Sequence, residues 1–410
     1  MPRPVWILHA GMAVNYLGTG MFAPFLLIYL HNVRGFELQT AGLVAAAFAG
    51  SGMLSGLVGG AMVDRLGARP TAALALVLLA AGLGSLPLVR EPWQAFAFVI
   101  VGGVGRGFFW PGYSTLLIAA TPADARAGSY AVQRVTANLG FGLGGLAAGL
   151  IVSTSDPSTF TVIFLLNAAT YLVFLVTLAF VPEPGRTKHD ESPAGLLLHG
   201  GYREVLRDRA FVAAIAIGAL FATFGIAQLN STLPLFATSD AGVSERGIGL
   251  IFLFNTLAIL ILQLPAAKIL QGRRRTRALA ITGAIWAISW LLALACGWLS
   301  ALEATVVLIA AAVVFAIGEC LLGVVQGPLV ADLAPERVRG RYTALWLTTT
   351  QLGLTVGPAI GAFLLERSPT ALWATAAVAC LVCGAAALLL ERVLPRAALL
   401  TPVPVAGGGT

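Results

Sequence analysis

The chain has 410 residues, of which 58% are hydrophobic and 10% are charged, and its formal net charge is +7. A soluble globular domain carries about 25% charged residues, so this composition excludes that class. The mean hydropathy of +0.89 instead indicates a protein that lies largely in hydrocarbon.

Apolar runs long enough to cross a bilayer recur along the whole chain. About 20 helical residues are needed to cross about 30 Å of hydrocarbon. The predicted fold class is therefore an all-α polytopic membrane protein with twelve transmembrane helices. In chain order, we predict the spans at residues 5–30, 39–63, 70–89, 94–120, 129–152, 159–181, 210–236, 247–270, 277–299, 303–332, 342–365 and 371–394.

A hydrophilic stretch divides these spans into two groups of six. Its Pro, Gly and charge content is typical of a linker. We therefore predict an N-terminal six-helix bundle at 1–181, a cytoplasmic linker at 182–209, a C-terminal six-helix bundle at 210–395 and a flexible cytoplasmic tail at 396–410.

The distribution of basic residues predicts the topology. With a cytoplasmic amino terminus, 19 Lys and Arg residues fall at cytoplasmic loops and ends. Cytoplasmic loops of membrane proteins carry such an excess, which places both termini in the cytoplasm. The positive net charge then follows from topology, so we expect a lipid bilayer around the chain and no nucleic-acid partner. Only four basic residues fall outside: Arg34, Arg90, Arg246 and Arg367.

The two halves look like an internal duplication. A shift of 213 positions, without gaps, superposes residues 105–149 on residues 318–362. Gly105 then coincides with Gly318, and the proline of one loop coincides with the proline of the other. Many secondary transporters consist of such repeats, with the substrate site near the membrane midplane between them.

Two ionisable side chains, Arg106 and Glu319, lie near the middle of a span, and the same shift superposes them. Each precedes the proline of its loop by 16 residues, or about 24 Å of helix. A charge at that depth costs at least about 2.5–3.5 kcal/mol, so it usually faces a partner or water. We expect the two to face each other across a central cavity, with Glu319 as the proton carrier because arginine keeps its proton. Two alternatives are a static ion pair, and an Arg106 that binds carbonyl groups of the first helix.

Further polar residues lie in the predicted spans. Arg134 and Asn138 either line a vestibule or reach toward the membrane interface. Asp332 is predicted to be a charge at the cytoplasmic end of its helix. Trp110 either contacts an aromatic substrate or faces lipid, and the uncharged polar residues either line a cavity or bond helices together. We predict a substrate cavity formed by Asn15, Tyr16, Trp110, Arg134, Asn138, Gln228, Asn230, Asn255 and Gln326.

The loop after the second span carries the most specific motif. Its sequence, "GGAMVDRLGARP", resembles a signature of the major facilitator superfamily at Gly60, Asp64, Arg65, Gly67 and Arg69. Arg106 resembles the buried arginine of proton-coupled members, and "NLGFGLGGLAAG" resembles a degraded glycine-rich antiporter motif. The resemblance covers nearly the whole chain and is strongest to twelve-helix drug:proton antiporters of bacteria. It implies that the signature loop is a gate between the halves, and that the protein lies in the bacterial cytoplasmic (inner) membrane.

The sequence lacks the motifs of other function classes. Its two lysines, Lys188 and Lys268, do not follow the glycine spacing of a P-loop, and HExxH and GxSxG motifs do not occur. We therefore expect no enzyme, cofactor or metal, but a monomeric secondary transporter that exports amphiphilic small molecules or drugs in exchange for protons. The alternatives are a transporter dedicated to one metabolite, lipid or natural product, and a receptor on a transporter scaffold.

Overall fold

The computed structural model describes residues 1–122, 125–182, 205–335, 338–395 and 398–401 of the chain. Long helices make up most of this part, and β-structure in it is limited to two isolated bridges. The long helices are α1 (Arg3–Val33), α2 (Leu38–Leu66), α3 (Ala68–Gly84), α4 (Pro92–Ala120), α5 (Arg126–Ile151), α6 (Ser158–Leu178), α7 (Arg209–Asn230), α8 (Glu245–Leu270), α9 (Arg275–Ala295), α10 (Ala301–Leu333), α11 (Arg339–Arg367) and α12 (Pro369–Leu390).

Ten of these described helices are long and apolar enough to cross a membrane. The other two, α5 and α11, have the required length at 26 and 29 residues, but they carry more polar side chains. Both pack against the opposite half of the molecule. The predicted all-α polytopic fold is thus confirmed.

Local chemistry sets where several helices begin and end. Glu91 and Gln94 form a capping box at the start of α4, and Ser300 and Glu303 form another at the start of α10. Such a pair satisfies backbone N–H groups that the first helical turn leaves without partners. Between α2 and α3, the φ angle of Gly67 is 100°, a value that residues with a Cβ rarely adopt. This glycine therefore allows the chain to reverse direction within one residue.

The two halves pack their helices in the same order. In the first half, α2 and α3 both pack against α4, and α1 packs against α5 and α6. In the second half, α8 and α9 pack against α10, and α7 packs against α11 and α12. Each helix pair of the second half corresponds to a pair of the first half with both helix numbers increased by six. The packing therefore shows the pseudo-symmetry that the sequence duplication indicates.

Among the described helices, the pairs α5 with α8 and α2 with α11 make the most extensive contacts between the halves. Glycines allow these helices to approach closely. A Cβ at Gly149 would lie 2.5 Å from the carbonyl oxygen of Glu245, and a Cβ at Gly42 would lie 2.5 Å from the Cβ of Ala362. Close contact through small residues is typical of helix packing in membranes. A larger residue at either glycine would push the halves apart.

The halves are held together on one side of the molecule. We call the side on which α1 begins the terminal face and the opposite side the far face. At the far face, the hydroxyl of Ser239 donates to Oδ1 of Asn32 at 3.1 Å, and the N–H of Thr154 donates to Oε1 of Glu245 at 2.8 Å. Together with the glycine contacts, these bonds close the far face.

The predicted linker and tail differ in outcome. Most of the linker at 182–209 lies outside the described residues, which omit 183–204. In the tail predicted to be flexible, 396–410, residues 398–401 are instead bound to the loop between α8 and α9. Residues 402–410 lie outside the described part.

Backbone pairing holds this terminal segment in place. Leu400 forms a β-bridge with Arg274, the N–H of Gly272 donates to the carbonyl oxygen of Thr401 at 3.1 Å, and the N–H of Thr401 donates to that of Arg273 at 3.0 Å. The sequence gives little sign of this contact, because the pairing is made by backbone groups and depends on where the end of α12 lies.

A buried arginine stabilises the second half at the terminal face. Arg275, at the start of α9, is fully buried. Its Nη2 donates to Oδ2 of Asp332 at 2.6 Å, and its Nη1 donates to the carbonyl oxygen of Ala398 at 3.3 Å. Asp332 lies one residue before the end of α10, so it is the helix-end charge that the sequence indicates, with a defined partner.

Candidate substrate cavity

A cavity of about 360 Å³ lies between the two halves. Helices α1 to α6 line it from the first half, and α7 and α11 line it from the second. Sites for small organic ligands have about this volume and are mostly apolar, with a few polar groups that fix orientation. The polar or charged residues on the wall are Asn15, Tyr16, Thr19, Arg106, Tyr171, Asn230 and Ser231.

Close packing of α4 on α2 places Arg106 at the cavity wall. A Cβ at Gly107 would lie 2.0 Å from the hydroxyl oxygen of Ser55, so glycine is required where the two helices cross. The neighbouring Arg106 extends along α2, and its Cζ lies 5.6 Å from the centroid of the Phe48 ring. An aromatic face attracts a guanidinium at this distance, which helps to orient the side chain.

Arg106 has no carboxylate within 4.0 Å and no hydrogen-bond partner among the described residues. Its electrostatic neighbours are the phenol groups of Tyr16 and Tyr171. The expected ion pair with Glu319 is therefore not formed, and neither is the alternative bond to carbonyl groups of α1. The positive charge of Arg106 is left without a counter-ion at the cavity wall.

The cation beside Glu319 is Arg134, from α5. Nη2 of Arg134 donates to Oε1 of Gln263 in α8 at 3.0 Å, and a Cβ at Gly323 would lie 2.8 Å from the same nitrogen. Gly323 is one turn from Glu319 on the same face of α10. Arg134, Gln263 and Glu319 form what we call the seam cluster. Helix α5 packs against α8 whereas α4 packs against α2 and α3, which explains why Arg134, and not Arg106, reaches the second half.

Aromatic rings support the wall next to Arg106. Phe109 and Tyr113 stack with 5.6 Å between ring centroids, and Trp110 meets both of them edge to face. Trp110 lies on the cavity wall and is 41% exposed. Its indole is therefore available to a ligand, and the surrounding rings fix its position.

The structure separates the nine residues predicted to form the cavity into two groups. Asn15, Tyr16, Trp110 and Asn230 lie on the wall of the cavity. The other five do not line it, and they are Arg134, Asn138, Gln228, Asn255 and Gln326.

Two of the five bond helices together instead. Nε2 of Gln228 donates to the carbonyl oxygens of Thr223 and Gly357, at 2.8 and 3.0 Å. Nδ2 of Asn255, in α8, donates to the carbonyl oxygen of Ala312, in α10, at 3.0 Å. Both side chains are buried. They therefore match the alternative given for uncharged polar residues in the spans, which is to bond helices together and not to line the cavity.

The remaining three lie at other helix contacts. Arg134 belongs to the seam cluster. Gln326 packs closely against α7, since a Cβ at Gly218 would lie 1.9 Å from its Nε2. Asn138 is partly buried on α5.

Sequence reasoning missed much of the wall, including Thr19, Phe48 and Tyr171. Tyr171 is the only tyrosine in the span predicted at 159–181, and a phenol at that depth was a usable signal. Phe48 and Thr19 gave none, because both residue types also occur at positions that face lipid or the helix's own backbone.

The signature loop lies at the terminal face. Asp64 and Arg65 are exposed, Gly60 is partly buried, and Nη1 of Arg69 donates to the carbonyl oxygen of Val181 at 3.3 Å. Arg69 thereby ties the start of α3 to the end of the first half. The role of this loop as a gate stays a prediction.

Groups that could hold a metal ion are absent from the described residues, in which no three His, Cys, Asp or Glu side chains come together. The four cysteines, Cys296, Cys320, Cys380 and Cys383, are free and buried. They contribute to packing within the second half.

Two pseudo-symmetric halves of membrane helices around a shared cavity define a membrane protein of the transporter type. The chain belongs to the Major Facilitator Superfamily, whose family model matches residues 8–244 and 215–405. It is 26% identical over 372 residues to the uncharacterized MFS-type transporter YttB of Bacillus subtilis (strain 168), covering 90% of this chain and 89% of YttB. It is 24% identical over 306 residues to the multidrug resistance protein MdtH of Salmonella newport (strain SL254), covering 75% and 71% of the two chains.

Solved structures show the same fold. A POT family transporter in complex with 5-aminolevulinic acid has a TM-score of 0.79 with 16% identity, covering 96% of this chain and 97% of the other. The nucleoside transporter NupG has a TM-score of 0.74 with 14% identity, covering 95% of this chain and 100% of the other. At these identities the likeness establishes the fold and not the substrate.

Proposed function

We propose that this protein is a secondary active transporter that exports amphiphilic small molecules in exchange for protons by alternating access. The observation that carries the proposal is the cavity, which both halves line and which is closed at the far face. A cavity shared by two repeats is what one end state of alternating access requires. The name of its relative MdtH, a multidrug resistance protein, supports export of drugs.

The seam cluster is the proposed site of proton coupling. An ionised Glu319 attracts Arg134 and so favours the contact of α5 with α8 and α10. A protonated Glu319 no longer does, and the contact between the halves weakens. Arg134 keeps its charge at physiological pH, so Glu319 is the group that binds and releases the proton. Ionisable residues at this depth are costly and usually mark transport pathways.

Proton flux in inverted membrane vesicles with an acidified lumen tests this function. We expect wild-type vesicles to release luminal protons when amphiphilic probes of positive, neutral or negative charge are added in turn. The Glu319→Gln variant should lose this release because glutamine cannot bind the transported proton. Glu366→Gln, at the exposed end of α11, removes one carboxylate outside the seam cluster and should behave as the wild type.

Each outcome decides one part of the proposal. Release that persists in Glu319→Gln, with the protein folded, would show that Glu319 does not carry the proton. Absence of release with every probe, in vesicles that contain folded wild-type protein, would refute proton-coupled export. A transporter dedicated to one metabolite, lipid or natural product would then be favoured.

A further inference from the structure

The chemistry of the cavity wall selects the charge of the ligand. Arg106 is the only charged residue on the wall among the described residues, and within that part of the chain it forms neither an ion pair nor a hydrogen bond. An unpaired cation in a poorly hydrated site is costly. A ligand with one negative charge removes that cost, whereas a cationic ligand increases it.

A second donor on the same wall also lacks an acceptor. Asn15, in α1, is 7% exposed, and its Nδ2 has no hydrogen-bond partner among the described residues. A buried polar group without a partner costs about 1–3 kcal/mol, so such a group usually has a role. Because Asn15 lines the cavity together with Arg106, an acceptor on a ligand can satisfy it.

The rest of the wall suits an apolar ligand body. Trp110, Phe48 and Phe109 line the cavity on the side of Arg106, and Ile226, Leu354 and Pro358 line it from the second half. A volume of about 360 Å³ is large enough for a fused-ring compound. The apolar surfaces then bind the body of the ligand while the two donors bind its polar end.

We infer that the substrate is an amphiphilic organic anion, whose carboxylate, sulfonate or phosphate binds Arg106 and Asn15 while its apolar body lies against Trp110. This inference rests on the proposed transport function and names the substrate class of the same cavity. Arginine suits the role because its planar guanidinium offers paired donors to an oxyanion and is weakly hydrated. The seam cluster is separate from this site, so substrate binding and proton binding use different charges.

Binding of three probes to the purified protein tests the inference without any need for proton coupling. The probes are 2-naphthoate, 2-naphthamide and 2-naphthylmethylammonium, which share one apolar body and differ in charge. Equilibrium dialysis at neutral pH, in a detergent with an uncharged head group, gives the three dissociation constants. We expect naphthoate to bind about 10- to 100-fold more tightly than the amide, as for hydrogen bonds to a charged group, and the ammonium compound to bind most weakly.

Variants locate the preference. Arg106→Gln should bring naphthoate and naphthamide to similar affinities, Arg106→Lys should keep part of the preference, and Asn15→Leu should weaken naphthoate more than the amide. Arg90→Gln removes an exposed cation outside the cavity and should leave the order of the three probes unchanged. Equal affinities, a preference for the ammonium probe or no binding of naphthoate by the wild type would each overturn the inference, whatever the stability of the variants.

The two proposals fail in different ways. Tight binding of naphthoate without proton release in vesicles would keep the anion site and remove proton coupling. Proton release evoked by cationic probes and not by naphthoate would keep the transport function and overturn the anion site.

Discussion

Replacement of Gly149 by alanine should open the far face. The added Cβ would lie 2.5 Å from the carbonyl oxygen of Glu245 and 3.0 Å from Gly249, where ordinary contacts are 3.4–4 Å. The two helices must therefore separate by about 1 Å, and overpacking of this kind costs about 1–3 kcal/mol. Because 1.4 kcal/mol is about tenfold in an equilibrium, the ratio of closed to open molecules should fall about 5- to 150-fold. Alanine itself favours the helix over glycine, so the variant should still fold.

Spin labels at the far face measure this change. Leu88 of the first half and Leu302 of the second are both well exposed, at 67% and 75%, and the native cysteines are buried. Cysteines at these two positions can therefore be labelled selectively, and pulsed dipolar spectroscopy then gives the distance between the labels. We expect Gly149→Ala to add a population at longer distance.

The matched control is Gly297→Ala, another glycine near the far face. A Cβ there meets no atom within 4 Å, so the distances should equal those of the wild type. If Gly149→Ala also gives the wild-type distribution, the contact of α5 with α8 does not determine whether the far face is closed.

Three further predictions concern stability. Gln228→Leu should lower the free energy of unfolding by about 0.6–1.7 kcal/mol, the range for one interhelical bond in a membrane, because it removes the bond to Gly357 of α11. Asn230→Leu should change the free energy of unfolding little, because that amide bonds only within its own helix. Chemical unfolding in detergent compares the two variants. Asp332→Ala should lower the free energy of unfolding by about 3 kcal/mol, because the substitution leaves the buried Arg275 without its carboxylate. A loss of unfolding free energy no larger than that of an exposed control such as Glu37→Ala would contradict this reasoning. The hydroxyl of Thr276 and the guanidinium of Arg274 lower the pKa of Glu391 below its ordinary value of 4.5. A carboxyl group whose pKa is lowered in the folded state stabilises the fold at pH values above the ordinary pKa, and this contribution is lost as the pH falls through the lowered pKa. Glu391→Gln should therefore flatten the fall in unfolding temperature between about pH 6 and pH 3. Identical pH profiles of the unfolding temperature in the variant and the wild type would show that these contacts do not act on folding.

The sequence predicts the helices and the duplication well, because both are set by signals that are local in the chain. Apolar length defines a span, and the loop proline and neighbouring glycines recur in both halves. The depth of Arg106 and Glu319 follows from simple counting along a helix. These features need no knowledge of which helix packs against which.

The partner of Glu319 could not be predicted in this way. Counting along the helices places Arg106 and Glu319 at the same depth in the membrane. The direction in which each side chain points depends on the rotation of its helix about its own axis. Helix packing turns Arg106 toward α2 and brings Arg134 of α5 to α10. The duplicated positions are thus equivalent in sequence without being in contact.

Gln228 and Asn230 show the same limit over two residues. Both are polar residues of α7, yet Gln228 bonds α7 to α11 while Asn230 lines the cavity. A π-helical turn at Ala222–Ile226 precedes them, and the helix breaks at Ser231. A π turn rotates the residues that follow it relative to a regular helix, so hydrophobic periodicity alone does not separate the face of Gln228 from that of Asn230.

The unpaired charge of Arg106 also makes the empty carrier sensitive to voltage. Under the alternating access that we propose, the membrane potential falls mainly across the gate that is closed, so the cavity takes the potential of the side to which it is open. Moving one elementary charge through 100 mV changes the free energy by about 2.3 kcal/mol. A cavity that holds a monovalent anion beside Arg106 has no net charge, so its change of access is not affected by this voltage-dependent free energy. The substrate-free cavity carries the positive charge of Arg106. In the proposed exchange the carrier returns without substrate but with a proton on Glu319, so Arg106 adds one positive charge to that step. With a negative interior and with the termini in the cytoplasm, as the sequence predicts, the potential would accelerate this return. A more polarised cell would then complete more export cycles without binding the substrate any more tightly.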